Sequence, residues 1–192
     1  MTPTIPSQQI RRDLPDQVAT ARLVLRRPDD RDAASLQRLA NNYDVHRMLA
    51  RLPHPYTMEH AFEFIHTLSR SETEHAYAIT RDEALVGVIG FHFFELDGRD
   101  SIEIGYWLGE PYWGKGYASE AAAALISALF DVAPDAPLMA RALADNSASC
   151  RVLEKAGFRL ISETVDDCGP HEGRLIRRFD WQGGGQYERT GT

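Results

Sequence analysis

The stretch Tyr112-Trp113-Gly114-Lys115-Gly116-Tyr117-Ala118-Ser119-Glu120 restricts this chain more than any other, because its flanks demand a tight strand-to-helix turn. Upstream, Ser101 to Leu108 alternates apolar and polar residues as a strand does. Downstream, Ala118, Ala122, Leu125, Ile126 and Leu129 recur at helical spacing through Val132, with small residues where the first turns approach a sheet. Two residues without Cβ atoms can turn successive backbone N–H groups toward one point, and the helix adds the positive end of its dipole. Such a turn can hold a diphosphate without a metal. Standing alone, it could equally be a plain tight turn.

Two nucleotide motifs overlap it. Gly109-x-x-x-x-Gly114-Lys115 has the spacing of a Walker A loop, but Gly116 stands where Ser or Thr must offer magnesium a hydroxyl. Gly114-x-Gly116-x-x-Ser119 approaches the dinucleotide fingerprint with Ser for the third glycine, yet three antiparallel-looking strands precede it where a Rossmann unit needs β-α-β. The anion-binding turn is what both motifs share, and it is the reading retained.

The chain has 192 residues, 43% of them hydrophobic, which fits one globular domain. We expect an N-terminal arm over 1–20, a single domain over 21–182 and a disordered tail over 183–192. A net charge of −7 argues against a nucleic-acid binder; it is accounted for by solubility alone and also suits a cationic substrate. No window is long and apolar enough to span a membrane and the first residues lack a secretion signal, so the expected location is the cytoplasm. Cys150 and Cys168 form no CxxC pair and read as free thiols. The seven histidines make no HExxH or HxH pattern, so no metal site is expected.

Pro3, Pro6 and Pro15 interrupt the first twenty residues, which read as a loosely packed lead-in. A strand is expected over 22–27. A helix capped at Pro28-Asp29-Asp30 should run to about Asn42 and bury Ala33, Leu36, Leu39 and Ala40. A second, from Thr57 to Ser69, should bury Ala61, Phe62, Ile65 and Leu68. The segment 45–56 between them fits neither pattern before its prolines. Strands over 76–80, 85–94 and 101–108 are separated by short turn signals, so a meander follows. After the helix at 118–132 come a strand at 138–144, a helix from Asn146 to Ala156 ended by Gly157, and strands at 158–164 and 174–181. The result is an α/β (α+β) domain around a single mixed, mostly antiparallel sheet flanked by helices.

Three segments together carry a resemblance: Glu103-Ile104-Gly105-Tyr106-Trp107-Leu108, Tyr112 to Ala121, and Asn146-x-x-Ser149 with Glu154-Lys155-x-Gly157-Phe158. Over about Arg22 to Trp181 the chain resembles the GNAT superfamily of acyl-CoA-dependent N-acyltransferases, in the branch related to ribosomal-protein N-terminal acetyltransferases. The superfamily pattern has Gln or Arg three residues before the first loop glycine, where this chain has Pro111. The resemblance implies acetyl-CoA as cosubstrate, with its pyrophosphate on Trp113, Gly114, Lys115, Gly116, Tyr117 and Ala118. It implies a pantetheine arm beside Tyr106, Trp107 and Leu108, where the strands at 102–108 and 138–144 diverge, with contacts from Asn146 and Ser149. It also implies an amine acceptor, small molecule or protein N-terminus, and the homodimers common among such proteins.

The residues speak separately. If Ile102, Ile104, Tyr106 and Leu108 share one face of a strand, Glu103, Gly105 and Trp107 share the other. A carboxylate in an apolar strand needs water, a partner or a task. Glu103 is therefore either the general base or a structural carboxylate paired with Arg141 or another cation. Asn146 is a natural N-cap, and Ser149 is the residue to test as donor to a departing thiolate, although helix hydroxyls are often back-bonded. Lys115 could add a point charge to a phosphate or stay solvated. Tyr56, Tyr106 and Tyr117 are alternative phenol donors or structural residues. His46 and His54 overhang the expected acceptor side, and His92, Phe93 and Phe94 read as core or wall.

Overall fold

The computed structural model describes residues 7–96, 98–167 and 169–182. Cys168 and the tail 183–192 lie outside the described residues. In chain order the elements are α1 (Ser7–Asp13), β1 (Gln17–Ala19), β2 (Val24–Arg26), α2 (Ala33–Ala40), α3 (Tyr43–His46), α4 (Met58–His66) and β3 (Glu74–Arg81). Then follow β4 (Ala84–Leu96), β5 (Arg99–Leu108), α5 (Tyr117–Val132), β6 (Leu138–Leu143), α6 (Ser147–Lys155), β7 (Phe158–Val165) and β8 (Leu175–Trp181). The strands form one sheet in the order β1-β2-β3-β4-β5-β6-β8-β7. Every pairing is antiparallel except β5 with β6. None of the described helices is long and apolar enough to cross a membrane.

Strand alternation divides the core into two. Ile89, Phe91, Phe93, Ile102, Ile104 and Leu108 face α5, whose Ala121, Ala122, Leu125 and Leu129 are buried against them. Ala76, Ala78 and Val88 face the other way, onto Leu36, Leu39, Ala61 and Ile65 of α2 and α4. Removing most of a fully buried side chain such as Leu125 costs about 2–5 kcal/mol. The meander is closed by Asp82 and Glu83, both at positive φ, in the two-residue turn that the strand twist favours.

Four expectations need correction. The lead-in is ordered over its described part: α1 buries Ile10, Leu14 joins the same core, and β1 extends the sheet by pairing with β2. One turn of helix and three strand residues are too short to register as periodicity. The strand expected over 22–27 is confined to Val24–Arg26, because Thr20 and Leu23 close a turn ahead of it. The helix expected to reach Asn42 stops at Ala40, since Asn42 instead caps α3 by accepting N–H bonds from Asp44 and Val45. Finally, α4 ends at His66. Phe62 and Leu68 are 42% and 46% exposed. Phe62 lies one residue round from the buried Ala61/Ile65 stripe and stacks on His66, and Leu68 belongs to a separate 3₁₀ turn.

Candidate functional site

Chain direction brings the glycine turn to the end of β5. Gly114 and Gly116 have φ of 72° and 79°, left-handed values that a side chain resists. Among the described residues, the N–H groups of Gly114, Lys115, Gly116, Tyr117, Ala118 and Ser119 donate to no protein acceptor. A Cβ on Gly114 would meet open space, so this side of the turn is accessible. Six unpaired donors at the start of a 16-residue helix form a cradle that fits a diphosphate.

The turn is clamped from behind by residues the sequence did not bring together. Arg22 donates to the Lys115 carbonyl at 3.0 Å, grips Glu120 at 2.6 and 2.7 Å, and lies over the Tyr117 ring at 4.8 Å. Thr20 and the Arg22 N–H also donate to Glu120. Burial pushes the Glu120 carboxyl up, but the bonds from Thr20 and Arg22 outweigh it and hold that carboxyl below its ordinary range. Glu120, behind the cradle, is thus ionised and neutralised by Arg22. Tyr117 is buried, and its hydroxyl accepts a hydrogen bond from Arg81. Lys115 turns back: its Nζ donates to the Pro111 carbonyl at 2.8 Å and lies over Tyr112. Trp113 donates its indole N–H to the Leu108 carbonyl at 2.7 Å.

Beside the cradle the sheet splits. β5 and β6 pair only at Ile102↔Leu138 and Glu103↔Met139, after which β6 follows β8 through Leu143. The edge of β5 from Ile104 to Leu108 therefore faces a gap. Tyr106 spans toward α6, its hydroxyl 3.2 Å from the Ser149 carbonyl and 2.9 Å from Ser149 Oγ. Burial drives the Tyr106 pKa upward against the pull of that Ser149 bond, so the phenol remains protonated. Asn146 caps α6, accepting from the Ser149 N–H at 3.1 Å. Trp107 faces the opposite way, against the α2/α4 core, while Leu108 belongs to the α5 side. Only backbone groups of Trp107 can line the gap.

Glu103 lies on the α2/α4 face at the point where the strands part. Both carboxylate oxygens meet Arg141, at 3.1 and 2.8 Å, and that bond with its charge raises the Arg141 pKa against the opposing effect of burial. The side chain is 13% exposed. One step along β5, a Cβ on Gly105 would touch nothing within 4 Å, which leaves open space between Glu103 and Trp107. Tyr56 is buried and donates to the His60 carbonyl, its pKa pushed up to about 12 by burial; it is structural. His46 and His54 stack on each other at 5.1 Å, with Tyr43 against both. His46 Nδ1 is fixed to the Leu52 carbonyl. Cys150 is a buried free thiol. Of the residues singled out from sequence, Tyr106 meets Ser149 and Glu103 meets Arg141, whereas the Lys115 ammonium and the Tyr117 phenol are directed elsewhere.

Comparison with known proteins gives one answer. The family model for the acetyltransferase (GNAT) domain matches residues 22–159. The N-acetyltransferase YoaA of Bacillus subtilis is 30% identical over 174 residues, covering 88% of this chain and 90% of its own. A GNAT-family acetyltransferase from Bacillus anthracis superposes with a TM-score of 0.72 at 25% identity, over 85% of this chain and 96% of that one. The ribosomal L7/L12 α-N-protein acetyltransferase RimL, in complex with coenzyme A, has the same TM-score at 21% identity, covering 87% and 96%. At that identity the second likeness concerns the fold.

Proposed function

This chain belongs to the GNAT acetyltransferase family, whose members take an acetyl group from acetyl-CoA, and from that premise we propose that it acetylates a primary amine by direct attack, with Glu103 as base. The observation that supports this reading most is the open space at Gly105, bounded by Glu103 and lying where β5 and β6 part. Acetyl-CoA would supply the activated thioester. The amides of residues 114–119 would bind its diphosphate, and the free edge of β5 from Ile104 to Leu108 would pair with its pantetheine arm. The acceptor is a small-molecule amine or a protein N-terminal α-amine.

The energetics ask little of the base. An α-amine with pKa near 8 is about 10% neutral at pH 7, so deprotonation costs roughly 1.4 kcal/mol, against roughly 4.6 kcal/mol for a lysine side chain. Glu103 accepts that proton while Arg141 keeps the carboxylate oriented. On the other face of β5, the protonated Tyr106 phenol and the Ser149 hydroxyl form a donor pair for the departing thiolate, a leaving group whose pKa near 8.5 needs only modest help. Most of the rate then comes from positioning.

One contact favours a second reading. Arg141 occupies both Glu103 oxygens, as it would around a structural carboxylate in a non-catalytic acyl-CoA-binding module of the same fold. Incubation with acetyl-CoA and a library of amines and peptides, read as free thiol, separates the two. The enzyme releases thiol with some acceptor, and Glu103→Gln lowers turnover by about a hundredfold with coenzyme A affinity unchanged. A parent protein that acetylates nothing in the library would leave only the binding module.

A further inference from the structure

The turn ahead of β2 reaches into the glycine turn. Thr20 and Leu23 close it, with the Thr20 N–H donating to the Leu23 carbonyl at 2.9 Å and the Leu23 N–H to Thr20 Oγ1 at 2.9 Å, and Arg22 lies between them. All three guanidinium nitrogens of Arg22 are engaged. Nε and Nη2 donate to Glu120 Oε2 at 2.7 and 2.6 Å, and Nη1 donates to the Lys115 carbonyl at 3.0 Å. A planar fork fixes the angle between these bonds, so it ties that carbonyl to a carboxylate on α5. The carboxylate is itself held from a second side, its Oε1 accepting from Thr20 Oγ1 at 2.6 Å and from the Arg22 N–H at 2.9 Å.

The Lys115–Gly116 peptide is trans, and in a trans peptide the C=O and N–H point in opposite directions. With the Lys115 oxygen drawn back to Arg22, the Gly116 N–H is turned away from the guanidinium, and it donates to no acceptor among the described residues. Glycine does not enforce this orientation. Without a Cβ, Gly116 admits either sign of φ, so the peptide can flip and present an oxygen where the N–H stood. An oxygen there repels a diphosphate. A Cβ on Gly116 would lie 3.4 Å from Arg22 Nη2, which puts the guanidinium directly against this residue.

We propose that Arg22 is a positioning residue for coenzyme A: it selects the orientation of the Lys115–Gly116 peptide in which the Gly116 N–H meets the diphosphate. This rests on the cradle proposed above. Arg22 acts through the peptide, and it brings the segment before β2 into the cofactor site, 93 residues away from Lys115 in the chain. Glu120 serves as the anchor of the fork, and Arg22 in turn cancels a negative charge that would oppose an anion at the start of α5. Orientation and neutralisation are separable, because removing both charges together leaves the local balance unchanged while releasing the carbonyl.

Calorimetric titration of the full chain with coenzyme A in chelator tests the positioning. In Arg22→Met the bonds to Glu120 from Thr20 and from the main-chain N–H at position 22 survive, so the turn stays in place while the Lys115 carbonyl is released. Affinity should fall about tenfold or more, the loss expected for one hydrogen bond to a charged group. Arg22→Lys should recover only part of it, because an ammonium lacks the fork that spans both partners. The double variant Arg22→Met/Glu120→Gln should bind as weakly as Arg22→Met. In amide NMR spectra at saturating coenzyme A, the Gly116 proton should move downfield in the parent and not in Arg22→Met, while that of Ala118, aligned by α5 itself, moves in both. Circular dichroism establishes that each variant is folded, and Arg22→Gln replaces Arg22→Met where it is not. A parent that binds with Arg22 variants that bind equally well, a Gly116 shift that survives Arg22→Met, or a double variant restored to the parent's affinity overturns the positioning role alone; in the last case Arg22 serves only to neutralise Glu120. A parent that gives no heat with coenzyme A overturns the cradle, and the role of Arg22 with it.

Discussion

The glycine turn and the face bearing Glu103 are the two halves of the proposed site, and they are built on different principles. The turn offers main-chain N–H groups, and its shape is set by two positive φ values and a helix end within a few consecutive residues. The Glu103 face offers side chains from β3, β4, β5 and β6, which share one side of the sheet only because the strands pair in one register. A backbone site tolerates side-chain change but not a change of turn geometry. A side-chain site behaves the other way round.

Substitutions can break that comparison, and the largest effect is expected at the turn. Replacing Gly114 and Gly116 by Val forces two β-branched residues into left-handed backbone at about 1–2 kcal/mol each. With the amides displaced as well, coenzyme A affinity should fall about a hundredfold or more by calorimetry in chelator. Retained affinity would mean that side chains, not amides, bind the diphosphate.

The comparison also has a pH limit set by neither region. His75 is buried, and burial, with smaller contributions from Arg27 and Arg11 against Asp16, pushes its pKa down to about 4. The folded state therefore disfavours its charged form. Stability is complete above the unfolded value near 6.5 and is lost as pH falls toward 4, by up to about 3 kcal/mol. Urea midpoints at pH 7 and pH 4.5 should differ accordingly, and His75→Gln should narrow that difference. If it does not, another group carries the acid limb.

Smaller effects sharpen the division. Tyr106→Phe removes one donor from the Tyr106–Ser149 pair and should reduce kcat about tenfold with coenzyme A affinity little changed, because the cradle is untouched. Lys115→Met should change coenzyme A affinity by less than about twofold, since the ammonium is already spent on the Pro111 carbonyl. A large loss with Lys115→Met would show that its side chain swings onto the phosphate.

The two halves differ in the same way in how readable they were. Gly114, Gly116 and the stripe of α5 are local, so spacing alone located the turn and the helix behind it, and alternation alone put Glu103 and Trp107 on the face away from Ile102 and Ile104. The Arg141 partner of Glu103 could be named but not chosen over other cations. The Arg22–Glu120 clamp joins residues 98 apart, with no shared pattern to announce it. His92 read as core or wall because nothing along β4 tells which residue of β3 or β5 lies opposite. Burial of Phe62 and Leu68 was overestimated for a related reason, since an apolar residue signals a buried face only where a neighbouring element covers it.

What the sequence determined by itself is the order of the longer elements from β2 onward, the glycine turn ahead of α5 and the family to which the chain belongs, because backbone conformation and side-chain period are written in neighbouring residues. What the tertiary structure decided is the partner of each charge: Arg141 for Glu103, Glu74 for His92, Arg22 for Glu120, Pro111 for Lys115. Most of those pairings cross strands or join distant segments, and an ion pair carries no periodicity. It exists only once hydrophobic burial has fixed which strands are neighbours and by how many residues they are offset.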